Sequence, residues 1–249
     1  MPLDLGPRAA YVLNAMAKDK SLQTHSSGAE VKAFLKKVAL TARPATTEGR
    51  GRLIFGMDAT ASREPTWDSA CHIQAEMFSE TANLGGLEIQ LVYYRGFREF
   101  KASPWVAEAE ALLRQMTAVS CLGGHTQIER VLRHAIKQTK AKKVSALVFI
   151  GDCLEEDVDR LCQLAGELGL LGLPCFLFHE GADRAARRAF EQIASLSGGA
   201  CCSFDAGSAQ QLKDLLSAVA VFAAGGRRAL ADYSKRKGGV VRLLTHQIT

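Results

Sequence analysis

The chain has no run of apolar residues near the roughly 18 that a membrane-spanning helix needs. Its first residues, Met1-Pro2-Leu3-Asp4-Leu5-Gly6-Pro7-Arg8, lack the basic-then-apolar order of a secretory signal, and a cytoplasmic location is the expectation. It has no Gly-x-Gly-x-x-Gly turn and no Gly-x-x-x-x-Gly-Lys-Ser/Thr loop, so a nucleotide cofactor has no evident phosphate cradle. No Cys-x-x-Cys pair occurs among the 7 cysteines, and their odd number argues against a disulfide framework. Cys153, Cys162, Cys175 and Cys201 fall within or beside apolar segments and read as small core residues. The neighbouring Cys201 and Cys202 point to opposite faces of a strand, which argues against a bond between them. There is no long low-complexity tract. With 249 residues, 47% hydrophobic and 23% charged, the chain has enough apolar material for a sizeable core. A single α/β domain with extensions is the simplest division.

The charge excess is modest, 31 basic against 26 acidic residues, and its placement says more than its size. Basic residues gather at Lys32, Lys36, Lys37, Arg43, Arg50 and Arg52, and again at Arg227, Arg228, Lys235, Arg236, Lys237 and Arg242. Both groups flank the region of strand-like runs, where nucleic acid or an acidic partner could meet them. No interleaved aromatics mark a base-stacking platform, so solvated flanks are the preferred reading.

Along the chain, apolar spacing predicts helices over Ala9 to Met16 and Glu30 to Leu40, and residues 41–51, with Pro44, Gly49 and Gly51, read as a linker. Leu53 to Met57 is a short, continuously apolar strand, and Pro65 suits the first turn of a helix running to about Asn83. Leu87 to Tyr94 alternates as a strand, with Phe97 to Lys101 as a short antiparallel partner across Arg95-Gly96. A helix is expected from Pro104 to about Val119. Another follows Thr126, with Ile128, Val131, Leu132, Ala135 and Ile136 on one face. Val144 to Ile150 is a second buried strand. Next come a helix over Glu155 to Leu168, a strand over Cys175 to His179, and a helix over Asp183 to Ser195. A short strand near Cys201 to Phe204 and a helix over Ala209 to Ala223 end the pattern. Strands alternating with helices indicate an α/β, doubly wound fold: a mainly parallel central sheet with one short antiparallel edge strand and helices on both faces. The expected division is a helical extension and linker over 1–51, the sheet domain over 52–224, and a basic tail over 225–249.

Oxygen-bearing side chains collect where these strands end. Asp58, Thr60 and Ser62 alternate after the first strand, Thr126 stands at a loop-to-helix junction after Gly123-Gly124-His125, and Asp152 follows the apolar run ending at Gly151. In open α/β sheets ligands gather at the carboxyl ends of strands, and hydroxyls with carboxylates are the hard donors that Mg²⁺ accepts while keeping some of its water. In this order and context the chain resembles a von Willebrand factor A-type (VWA) domain with a metal-ion-dependent adhesion site, over roughly Arg52 to Ala224. The family's Asp-x-Ser-x-Ser motif is matched by Asp58, Thr60 and Ser62, its later Thr by Thr126 and its strand-end Asp by Asp152. Thr60 stands where the family more often has Ser and keeps the hydroxyl. The resemblance implies a Rossmann-like fold, with Thr60, Ser62 and Thr126 as hydroxyl ligands of Mg²⁺ or Mn²⁺ and Asp58 and Asp152 as direct or water-mediated ones. It also implies a non-enzymatic, metal-dependent protein-interaction module, an adaptor or scaffold. Its partner would offer an Asp or Glu to the metal, and could belong to a larger assembly such as an AAA+ ATPase complex.

Each residue has a plainer alternative. Asp58 and Ser62 could cap the Pro65 helix, Thr126 its own helix, and Asp152 the helix that follows it. Cys153, next to Asp152, could be a reactive thiol, but no His/Asn partner can be assigned to it. His125 has no second His at ligand spacing and reads as a loop residue, and Trp67 and Trp105 read as packing residues. A second function is a Mg²⁺-dependent phosphatase or phosphotransferase with Asp58 as nucleophile. Phosphatases of the haloacid dehalogenase type carry a second acid where this chain has Thr60. A third is an RNA-binding accessory protein using the basic flanks.

Overall fold

The computed structural model describes residues 33–34, 36–38, 50–81, 86–204 and 209–237. Among these, strands β1 (Gly51–Asp58), β2 (Leu87–Arg95), β3 (Glu99–Ala102), β4 (Ala146–Gly151), β5 (Cys175–Glu180) and β6 (Ala200–Phe204) form one sheet. Their order is β3-β2-β1-β4-β5-β6. Every neighbouring pair is parallel except β2 and β3. Helices α1 (Glu64–Thr81), α2 (Ala109–Thr117), α3 (Ile128–Ala141), α4 (Val158–Leu170), α5 (Arg184–Leu196) and α6 (Ala209–Lys237) cover it.

Strand alternation sorts the core into two layers. Leu53, Phe55 and Met57 of β1 face one side, packed with Trp67, Met77, Leu112, Met116, Leu216 and Val219. Ile54 faces the other, with Val131, Leu132, Leu161, Leu168, Phe190 and Ile193. A strand buried on both faces must be apolar at every position, which is why the central strands read as continuous runs. The order in which strands are added to the sheet reverses between the parallel neighbours β1 and β4, so the ends of these two strands, with Asp58 on one and Asp152 just past the other, lie side by side at the carboxyl edge.

Three features depart from the sequence expectation. The residues after Pro104 do not begin a helix: Val106 exchanges backbone hydrogen bonds of 2.8 and 2.9 Å with Ile89, and α2 starts only at Ala109. The four-residue β3 leaves Ile89 uncovered, and its buried N–H and C=O take Val106 as partner. Secondly, α6 does not stop near Ala223. It kinks at Gly226, whose φ of 69° suits glycine, and continues to Lys237 with Leu230 and Tyr233 buried against the first layer while Arg228 and Asp232 stay exposed. Thirdly, Arg52 of the first basic cluster is not a solvated charge. Its guanidinium lies 3.8 Å from the ring centroid of Trp105, donates to the Lys142 carbonyl at 2.7 Å and faces Glu88 at 3.4 Å.

From the amino-terminal segment, Phe34 and Val38 are buried, and the Phe34 ring centroid is 5.3 Å from that of Phe178. The expected helix over Ala9 to Met16, most of the linker, Lys32, Arg43 and Arg242 lie outside the described residues. Among the described residues no helix is long and apolar enough to cross a membrane.

Candidate metal centre

Asp58 ends β1 fully buried, in register with Tyr94 of β2. One carboxylate oxygen accepts the Thr60 backbone N–H at 2.7 Å and the other accepts the Tyr94 hydroxyl at 3.1 Å. Burial pushes its carboxyl up to about 6. The hydrogen bonds from Thr60 and Tyr94 work against that rise, and the nearby charge of Asp152 adds to it. The turn that follows brings the Thr60 and Ser62 hydroxyls to 3.4 Å from each other. Ser62 donates to Asp152 Oδ2 at 2.8 Å, which ties the β1 loop to the β4 loop across 90 residues of sequence. The second oxygen of Asp152, Oδ1, is buried and accepts no hydrogen bond.

Thr126 joins this edge by a different route. Its hydroxyl accepts the Glu155 N–H at 3.0 Å, and its own N–H donates to Glu155 Oε2 at 3.0 Å. That N–H, followed by His125, holds the Glu155 carboxyl below the usual carboxylate range. The 119–127 segment is stitched to the β1 loop by Leu122 N–H donating to the Ala59 carbonyl at 3.0 Å, and to the turn after β2 by His125 N–H donating to the Gly96 carbonyl at 3.2 Å. Gly124 lies so close to that turn that a Cβ there would sit 1.9 Å from the Gly96 oxygen. The structure thus brings Asp58, Thr60, Ser62 and Asp152 into one hydrogen-bonded group. Thr126 it places on the adjoining loop, bonded to Glu155 rather than to the other four.

Helix capping is carried by other residues. The carboxylate of Glu156 accepts the Ile128 and Glu129 N–H groups at 2.6 and 2.8 Å and so caps α3 from the neighbouring loop. Asp157 caps α4 through the Arg160 N–H at 2.8 Å. Thr126 and Asp152 are therefore free of the capping duty that was their plainer reading.

The donor chemistry fits a divalent cation. Asp58, Asp152 and Cys153 each offer one ligand atom, all within 4.8 Å of one another, and the Thr60 and Ser62 hydroxyls adjoin them. An orphaned buried carboxylate oxygen beside a carboxyl made hard to ionise is an arrangement that a cation would relieve. Burial, then the charge of Asp152, pushes the Cys153 thiol up to about 12, so at neutral pH the metal-free site holds a thiol rather than a nucleophilic thiolate.

Sequence reasoning gave three residues here no part in the metal site. Tyr94 stood out only as a strand residue. Arg63, 7% exposed, faces Asp152 Oδ2 at 3.3 Å and bonds Glu180, 5% exposed at the end of β5, which also accepts the Thr66 hydroxyl. An acid closing an apolar strand run was the available signal for Glu180. At the rim, Phe97 is 73% exposed with its ring centroid 5.2 Å from that of His125, and Leu122 is exposed beside Gly96.

This strand order, with its single antiparallel edge strand and helices on both faces, is the VWA-type, Rossmann-like fold. The chain is similar to the VWA domain of SpRpn10, with a TM-score of 0.53 and 17% identity over 67% of this chain and 94% of that one. It is also similar to an aerotolerance-related membrane protein from Bacteroides fragilis, with a TM-score of 0.50 and 16% identity over 67% and 98%. Proximal thread matrix protein 1 from the mussel byssus, solved with zinc in its metal-ion-dependent adhesion site, gives a TM-score of 0.55 and 12% identity over 69% of this chain and 46% of that one. No family model and no curated protein matches the sequence.

Proposed function

We propose that this protein is a metal-dependent protein-interaction module, not an enzyme. Asp58, Thr60, Ser62, Thr126 and Asp152 would hold Mg²⁺ or Mn²⁺, with the two carboxylates acting directly or through water. The observation that carries the reading is the Ser62–Asp152 bond beside Asp58, with Asp152 Oδ1 left unpartnered. A bound cation with few anionic ligands keeps positive charge toward solvent, and this attracts a carboxylate from a second protein. The exposed Phe97 and Leu122, with His125, would supply the apolar part of that contact. A cytoplasmic adaptor within a larger assembly, such as an AAA+ ATPase complex, is the setting this reading favours. The phosphatase alternative is weakened by Asp58 itself: a nucleophile must reach substrate, and this carboxylate is fully buried with both oxygens engaged.

The test is equilibrium Mn²⁺ and Mg²⁺ binding by the full chain, wild type against the double variant Ser62→Ala/Asp152→Asn, followed by partner capture with and without chelator. Wild type should bind the ion, the variant should bind at least about tenfold more weakly, and capture should fall in chelator. Equal ion binding by the two proteins, or the same partners recovered with chelator present, removes the adhesion mechanism while leaving the fold.

A further inference from the structure

Arg63 follows Ser62 directly and closes the short helical turn Ala61–Arg63, so a full positive charge is built into the wall of the proposed metal site. It is 7% exposed, and each part of its guanidinium is committed. One terminal nitrogen bonds Glu180, the other donates to the Ser62 carbonyl at 3.2 Å, and Nε faces Asp152 Oδ2 at 3.3 Å without completing a hydrogen bond. Glu180 is held in turn by the Thr66 hydroxyl, so the arginine is anchored from behind and cannot swing away without stranding a buried acid. Among the described residues, the acids gathered at this edge are the buried Asp58 and Glu180 and the half-buried Asp152, and they face the guanidinium of Arg63, with the buried His179 ring 3.1 Å from the Asp152 carbonyl oxygen.

We infer that Arg63 is a tethered counter-ion that competes with the metal for Asp152. This inference rests on the metal-site reading above and concerns how that site is regulated. In the metal-free protein Arg63 neutralises Asp152 and keeps the β1 and β4 loops together, so the site is preformed without an ion. When an ion arrives, the fixed positive charge a few ångströms away repels it at the reduced dielectric of a buried wall, which holds affinity down. An acidic partner group offsets that repulsion, so metal and partner bind best together.

The experiment is Mn²⁺ binding at pH 7.5 by full-length wild type, Arg63→Lys, Arg63→Gln and the double variant Arg63→Gln/Glu180→Gln. It is read from the loss of the free-ion electron paramagnetic resonance signal. Thermal melting in chelator serves as a second readout, and circular dichroism checks that each variant folds. The double variant covers the case in which Arg63→Gln alone strands Glu180 and unfolds. Arg63→Gln should tighten Mn²⁺ binding about tenfold or more, the double variant should tighten it less, and Arg63→Lys should stay within about threefold of wild type. The chelator melting temperature of Arg63→Gln should fall, and added Mn²⁺ should restore it. Folded variants without the charge that bind Mn²⁺ as wild type does, or more weakly, overturn the counter-ion role and leave the metal site standing. Absence of Mn²⁺ binding in every variant overturns both.

Discussion

At the scale of single residues, Asp58 carries a consequence for acidity. Its carboxyl is raised from 3.8 to about 6 in the metal-free fold, chiefly by burial. Below pH 4 the acid is protonated in both folded and unfolded chains and contributes nothing either way. As pH rises through 4 to 6 the unfolded chain ionises first, so the native state loses stability over that window, by about 3 kcal/mol in all. Urea unfolding of the metal-free protein from pH 4 to 7 should show this decline, and Asp58→Asn should flatten it. Identical pH profiles for the two would deny that Asp58 is the source. Because an ion must displace the proton, Mn²⁺ affinity of wild type should rise with pH through about 6.

Among the elements, α3 depends on a residue outside itself. Glu156→Ala removes two charge-assisted bonds to the Ile128 and Glu129 N–H groups and should cost about 1 to 2 kcal/mol, with Glu156→Gln retaining part of that. Urea midpoints check it, and an unchanged midpoint would mean that water replaces the cap without loss. This cap also marks where sequence reasoning stops. The period of Ile128, Val131, Leu132, Ala135 and Ile136 disclosed α3, and the apolar runs disclosed β1, β4 and β5, because burial on one or two faces writes itself into local order. Glu156 reaching 28 residues back, Arg63 meeting Glu180 across 117 residues, and the Tyr94 hydroxyl on Asp58 depend on strand order and register, which no local window contains. Pro104 misled for the same reason: a first-turn proline is a valid helix signal, but the unpaired edge of Ile89 decided the matter. Of the candidate site, Asp58, Thr60, Ser62 and Asp152 were named from the sequence and lie in one hydrogen-bonded group, while the pairing of Thr126 with Glu155 and of Arg63 with Asp152 depends on contacts that no local window contains.

For the molecule as a whole, the first core layer takes in residues from outside the expected 52–224 range. Phe34 and Val38 lie before it and Leu230 and Tyr233 after it, yet all four are buried in the first core layer. A fragment of residues 52–224 exposes the surface they cover and should lose several kcal/mol of stability relative to the full chain, at about 1.5 to 3 kcal/mol for each large apolar side chain. Comparing urea midpoints of the two tests this, and coincident curves would return those segments to the status of dispensable flanks. On the proposed interaction reading, the bonds that cross between loops at the carboxyl edge, from Leu122 to Ala59, His125 to Gly96, Glu155 to Thr126 and His179 to the Asp152 carbonyl, would act on recognition as well as on folding. They would make the rim a stiff template, its segments having given up conformational freedom before a partner docks. Selectivity at such a surface would come from shape and charge matching, with little entropy left to lose on contact.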